Sequence, residues 1–243
     1  MIELKLSKPL KYDHPKGTPV TVVDQYIDKS TGEKIWFAAP KIDGVYYSKA
    51  VKFFDNAIKL RNKVLNSKGP VNSKNPDQGN AFINEGTVFE FFTESCSGII
   101  LLFAATESLV NNLIENAPVY NYCKKIKVNI FSVEKYFIGR KKNEVLSLEQ
   151  LLSPRIGIEE KLKNVLPCLY KFESPTNKNF WQDFKTLKLL RDGFVHCTRD
   201  QVYGADRGVN SLYSKLFDID FEKLINNIGD LLMYLNNNTQ KIV

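Results

Sequence analysis

The segment Leu189-Leu190-Arg191-Asp192-Gly193-Phe194-Val195-His196 sets a guanidinium and an imidazole four intervening residues apart. Those two groups suffice for a metal-free cut in RNA. A neutral imidazole, with a reference pKa of ~6.5, takes the proton from a ribose 2′-hydroxyl near neutral pH. A guanidinium keeps its charge and holds the non-bridging oxygens as charge builds on phosphorus. The 2′-oxygen bonds to phosphorus, the bond to the 5′-oxygen breaks, and a 2′,3′-cyclic phosphate remains. DNA has no such hydroxyl, so selectivity for RNA follows from the chemistry.

Other chemistries find no residues to carry them. The chain has no GxxxxGK[ST] loop, no GxGxxG after a strand and no GxSxG elbow. Its two histidines, His14 and His196, are too few for a multi-histidine metal site, and no carboxylates have calcium-loop spacing. No metal and no cofactor are expected. Cys197 follows His196 directly, and sequence neighbours on a helix point apart, so a Cys–His nucleophile pair is not expected there.

The elements that must position the motif are read from composition and periodicity. The 243 residues are 43% hydrophobic and 25% charged, which fits a folded chain and excludes global disorder. Lys plus Arg is 34 against 27 for Asp plus Glu, a net charge of +7 that favours polyanions. Four widely spaced cysteines without a CxxC pair, and a first segment without an apolar signal core, lead to the expectation of a reducing cytoplasm. The most apolar run, between Glu94 and Glu107, is shorter than the ~20 residues of a membrane span, so no membrane partner is expected.

Residues 1–47 read as a small β element, with PVTVVDQYID and EKIWFAAP as a hairpin and a turn at Lys41–Gly44 leading into a strand VYYSK. Residues 48–88 read as a helix capped by Ser48 and apolar at Val51, Phe54, Ile58 and Leu65, then a long polar loop from Ser67 to Asn80. Residues 89–243 read as a helical domain. In it, Phe89–Asn116 is one long helix apolar on most sides, as at the centre of a bundle. Residues 119–140 are short strands or an irregular connection. Pro167 is expected to kink or divide the helix IEEKLKNVLPCLYKF. NKNFWQDFKTLKLLRDGFVH and FEKLINNIGDLLMYLNN are further helices, the last followed by an Asn-rich tail. The fold class is therefore α+β, mainly α.

Within residues 89–235 the sequence resembles the HEPN (higher eukaryotes and prokaryotes nucleotide-binding) superfamily. FAATESLVNNLIEN resembles its first core helix, IEEKLKNVLPCLYKF its second, and FWQDFKTLKLLRDGFVHC its motif helix with an upstream aromatic and a Leu pair before the Arg. The resemblance implies that Arg191 and His196 are the catalytic pair and that Asp192 stands at a polar position where the family more often has Asn. It also implies a metal-independent endoribonuclease of toxin or antiviral defence type, with RNA as substrate and an antitoxin or activating protein as partner. On an unbroken helix five residues turn ~500°, which points Arg191 and His196 ~140° apart. Gly193 between them is expected to permit a kink. The resemblance implies a homodimer that completes the site from two motifs.

Glu107 and Asn111, i and i+4 on the long helix, are candidates for orienting His196 or touching RNA. Lys124, Lys125, Lys127, Arg140, Lys141 and Lys142 form two basic runs suited to a phosphate backbone. Trp36, Tyr46 and Tyr47 are candidates for base stacking, and His14 has no expected role. Two rival expectations belong to other classes. One is a non-catalytic helical module that binds RNA or a protein, and the other is a nucleotide-sensing subunit with its ligand near residues 1–80.

Overall fold

The structure is a computed structural model that describes residues 4–5, 19–20, 23–38, 40–66, 85–117, 147–196 and 211–240. The chain divides into two units, Met1–Lys41 and Ile42–Val243. It is mainly helical with a small β element at its start, the class expected from sequence.

In the first unit β1 (Leu4–Lys5) pairs with β2 (Pro19–Val20), and β3 (Val23–Ile27) pairs antiparallel with β4 (Lys34–Ala38). Among the described residues these are two separate two-stranded pairs. The β3–β4 register sets Val23 opposite Ala38 and Ile27 opposite Lys34. Its turn is closed by Asp28, whose carboxylate accepts from the Ser30 amide at 2.8 Å and the Ser30 hydroxyl at 2.6 Å. Those bonds favour the ionised carboxylate and hold Asp28 below its ordinary value.

The expected turn at Lys41–Gly44 and the strand after it are instead the first turns of α1 (Ile42–Asn66). Val45, Tyr46 and Tyr47 favour strands, but packing overrides that preference. Tyr47 lies in helical phase with the buried Ala50, Phe54, Ala57 and Val64, and its hydroxyl donates to the Ile225 carbonyl at 3.3 Å. Ser48 is thus inside the helix rather than its cap, and Leu65 is on the exposed side. The boundary of the β unit falls before Ile42, not after Tyr47.

The second unit is built around α2 (Glu85–Glu115), which buries Phe91, Ile99, Leu102, Phe103, Leu109, Val110 and Ile114. The buried hydroxyls of Ser95 and Thr106 donate to the Phe91 and Leu102 carbonyls one turn back, so neither is left unpaired. Gly98 permits the closest approach to α1, because a Cβ there would stand 2.8 Å from the Phe54 ring. The apolar helix is longer than the run between Glu94 and Glu107. By length and composition alone, Gly86–Glu115 is long and apolar enough to cross a bilayer, a test that core helices also pass.

Around α2 pack α3 (Leu148–Leu152), α5 (Leu166–Tyr170), α6 (Phe180–Val195), α7 (Leu212–Asp218) and α8 (Phe221–Gln240), while α4 (Ile158–Glu160) leads into the turn before α5. Ser147 and Gln150 form a reciprocal capping box at the start of α3. Between α4 and α5 the chain makes one π-helical turn, Lys161–Val165. There the Leu166 amide donates to the Lys161 carbonyl, five residues back instead of four. Pro167 follows at once, and a proline has no amide to donate and crowds the carbonyl four residues before it. The proline therefore divides the helix as expected, by a widened turn rather than a break. The Asn-rich end of α8 remains helical, with the Asn238 side chain donating to the Tyr234 carbonyl at 2.7 Å.

Candidate functional site

Helix α6 carries the Arg-His motif. Phe180, Trp181, Phe184, Leu187 and Leu190 are buried, and the helix is held against α2 and α8. The Trp181 and Phe184 rings lie 5.1 Å apart at its base. Asn227 of α8 donates to the Asp183 carboxylate at 2.6 Å, which fixes the same end. The motif end is thereby presented by a helix whose first half is anchored in the core.

Arg191 leans toward α2. Its guanidinium carbon stands 4.5 Å from the centre of the Phe103 ring, a cation over the face of a buried aromatic. The contact seats the guanidinium on that ring. One of its terminal nitrogens lies 2.9 Å from Asp192 Oδ1. The other carboxylate oxygen, Oδ2, lies 3.3 Å from Lys188 Nζ one turn earlier. Asp192 thus bridges two cations on the solvent face of α6.

His196 closes the helix. Its amide donates to the Asp192 carbonyl at 2.9 Å, while its φ of −117° and ψ of 31° leave the helical region. The side chain is exposed. Gly193 does not kink α6, which is helical through Val195. It serves close packing instead, since a Cβ there would stand 3.1 Å from the Leu212 methyls of α7. With the helix unbroken, Arg191 and His196 diverge by about 140° within one chain.

Asn111 is bonded to a lysine, and Glu107 lies near the same group. The Asn111 side-chain oxygen accepts from Lys161 Nζ at 2.9 Å, and the Leu152 carbonyl accepts from the same ammonium at 3.2 Å. Lys161 is 3% exposed. Burial holds its pKa below the ordinary lysine value, and the nearby Glu107 carboxylate opposes that shift. The strip from Phe103 through Glu107 to Asn111 therefore runs from Arg191 to a buried lysine, and Asn111 pairs with Lys161 rather than His196.

Lys188 was not singled out in the sequence. Its signal is its spacing, three residues before Arg191 and four before Asp192. On the helix it falls between the diverging motif residues, about 60° from Arg191 and about 80° from His196. The basic residues Lys124, Lys125, Lys127, Arg140, Lys141 and Lys142 lie outside the described residues, as do His14 and Cys197. Tyr46 and Tyr47 are on α1, and Trp36 is on β4.

Among the described residues no three His, Cys, Asp or Glu side chains gather as a metal site would require. Cys96 is half-buried on α2, and burial pushes its thiol up to about 12. Cys168 is exposed, although partial burial of its sulfur raises its pKa as well.

Comparison with family models, with curated proteins and with solved structures found no match.

Proposed function

We propose that this protein is a metal-independent endoribonuclease that leaves 2′,3′-cyclic phosphate ends, acting as a toxin or antiviral defence effector. The observation that supports it best is the state of the two motif groups. Arg191 is seated on the buried Phe103 ring with a terminal nitrogen bonded to the part-exposed Asp192, while His196 stands exposed at the helix end. A rigid cation for the phosphate and an accessible base are what 2′-hydroxyl attack requires. His196 takes the 2′-hydroxyl proton, Arg191 holds the phosphoryl oxygens, and the departing 5′-oxygen takes its proton from water. The divergence of about 140° on one helix favours a homodimer in which each cleft joins Arg191 of one copy to His196 of the other.

One observation favours a second reading. Leu189, two residues before Arg191, and Val195, just before His196, are 66% and 49% exposed, apolar surface suited to a helical module that binds a protein partner. Incubating the protein with total RNA in EDTA separates the two. The ribonuclease yields new 2′,3′-cyclic ends in the parent and none in His196→Ala, and a strand with a 2′-deoxy residue at the cut site stays intact. Equal cleavage by His196→Ala, or loss of cleavage in EDTA with recovery in magnesium, overturns the reading. Cleavage by a strict monomer overturns the shared cleft.

A further inference from the structure

We propose that Lys188 and Arg191 form a two-cation phosphate clamp whose resting occupant is the Asp192 carboxylate, so that RNA enters by displacing a phosphate mimic built into the helix. This rests on the reading of the motif as an RNA site.

The geometry is that of a bound anion. One oxygen of Asp192 lies 2.9 Å from Arg191 and the other 3.3 Å from Lys188, as two oxygens of a phosphodiester would lie between two cations. The helix gains little from this arrangement. Asp192 sits in the last turn, where the helix dipole disfavours negative charge, and the acid follows its Lys partner at i+4, the weaker of the two orders. The three side chains are 28–37% exposed, so the pairs are screened and an incoming anion reaches both cations. Arg191 is also seated on Phe103, a contact that does not involve its carboxylate partner.

The consequence is a competition. The carboxylate keeps the two like charges together without RNA and also lowers the affinity for RNA. Replacing it with an amide releases both cations while keeping the side chain's shape.

The test uses a 2′-O-methyl oligoribonucleotide, which binds as RNA does but has no nucleophile, followed by fluorescence anisotropy across a potassium chloride series. Asp192→Asn should bind roughly threefold to tenfold tighter than the parent, with a steeper salt dependence. Lys188→Gln should bind more weakly, with the salt slope reduced by about one. The Lys188→Gln loss should be larger in the Asp192→Asn background, because the cation is then unpaired. Asp55→Asn, on the exposed side of α1, makes the same change in net charge away from the motif and should leave affinity near the parent's.

The clamp is overturned if Asp192→Asn binds no better than the parent, if Asp55→Asn gives the same gain, or if Lys188→Gln changes neither affinity nor slope. Absence of binding by both the parent and Asp192→Asn overturns it as well. Parallel assays on ordinary RNA keep the two ideas apart. Clamp behaviour without cleavage sinks the ribonuclease and leaves the clamp, and cleavage without the Asp192→Asn gain does the reverse.

Discussion

Arg191 illustrates how one side chain is tuned by two neighbours of opposite character. Phe103 holds the group by an apolar contact and Asp192 by a charged one, so the anion can be exchanged while the ring contact stays. Arg191→Lys keeps the charge but loses the planar fork and the extended stack. It should lower the cleavage rate by about 10²–10³, the loss typical when one oriented charge-stabilising group is removed. Initial rates on a fluorogenic RNA measure this, with thermal melting to confirm that the variant is folded. Arg191 and His196 stand out in the sequence by residue type, spacing and the resemblance of their helix, and their chemistry is the proposal made above. Lys188 does not, because its place between them depends on a helix that stays unbroken past Gly193. The neighbour of Asn111 was not legible for a related reason. Lys161, which donates to it, is fifty residues away, and no local pattern links the two.

At the scale of elements, the least regular stretch holds the most unusual burial. Lys161 starts the π-helical turn ahead of Pro167 and is enclosed with two hydrogen-bond partners. An enclosed ammonium that loses a partner keeps its desolvation cost. Asn111→Ala should therefore destabilise the fold by about 1–3 kcal/mol. Lys161→Met, which removes the charge itself and keeps an unbranched chain, should cost less than Asn111→Ala. Urea unfolding of the three proteins decides the order. The proline's effect was visible in the sequence, since a missing amide must disturb any helix. The start of α1 was not. Gly44 and the β-formers after it read as a turn and a strand until Tyr47 is seen in phase with Ala50 and Phe54. Periodicity served best where the apolar face is long, as in α6 and α8.

For the whole molecule, the groups buried neutral in the core set its behaviour in alkali. Cys96 and Tyr170 are both pushed up to about 12, from ordinary values of 9.0 and 10.0, by burial. The Tyr170 hydroxyl also donates to the Leu113 carbonyl at 2.6 Å. In the unfolded chain the thiol and the phenol ionise at their ordinary values, and in the folded chain they do not. Their contribution is complete below pH 9 and is lost as pH rises toward 12. Lys161 acts with the opposite sign, because the folded form releases its proton first and gains stability up to 10.5. Melting temperatures between pH 7 and 11 should show Cys96→Ala reducing the fall that begins near pH 9, and Tyr170→Phe the part that begins near 10. A fall unchanged in both variants would contradict this account. The division of the chain has a spectroscopic consequence too. The sequence has two tryptophans, Trp36 on β4 of the first unit and Trp181, 6% exposed beside Phe184, on α6 of the second. Each unit thus carries its own fluorophore. Emission from Trp36→Phe reports the helical unit alone, and emission from Trp181→Phe reports the hairpin unit.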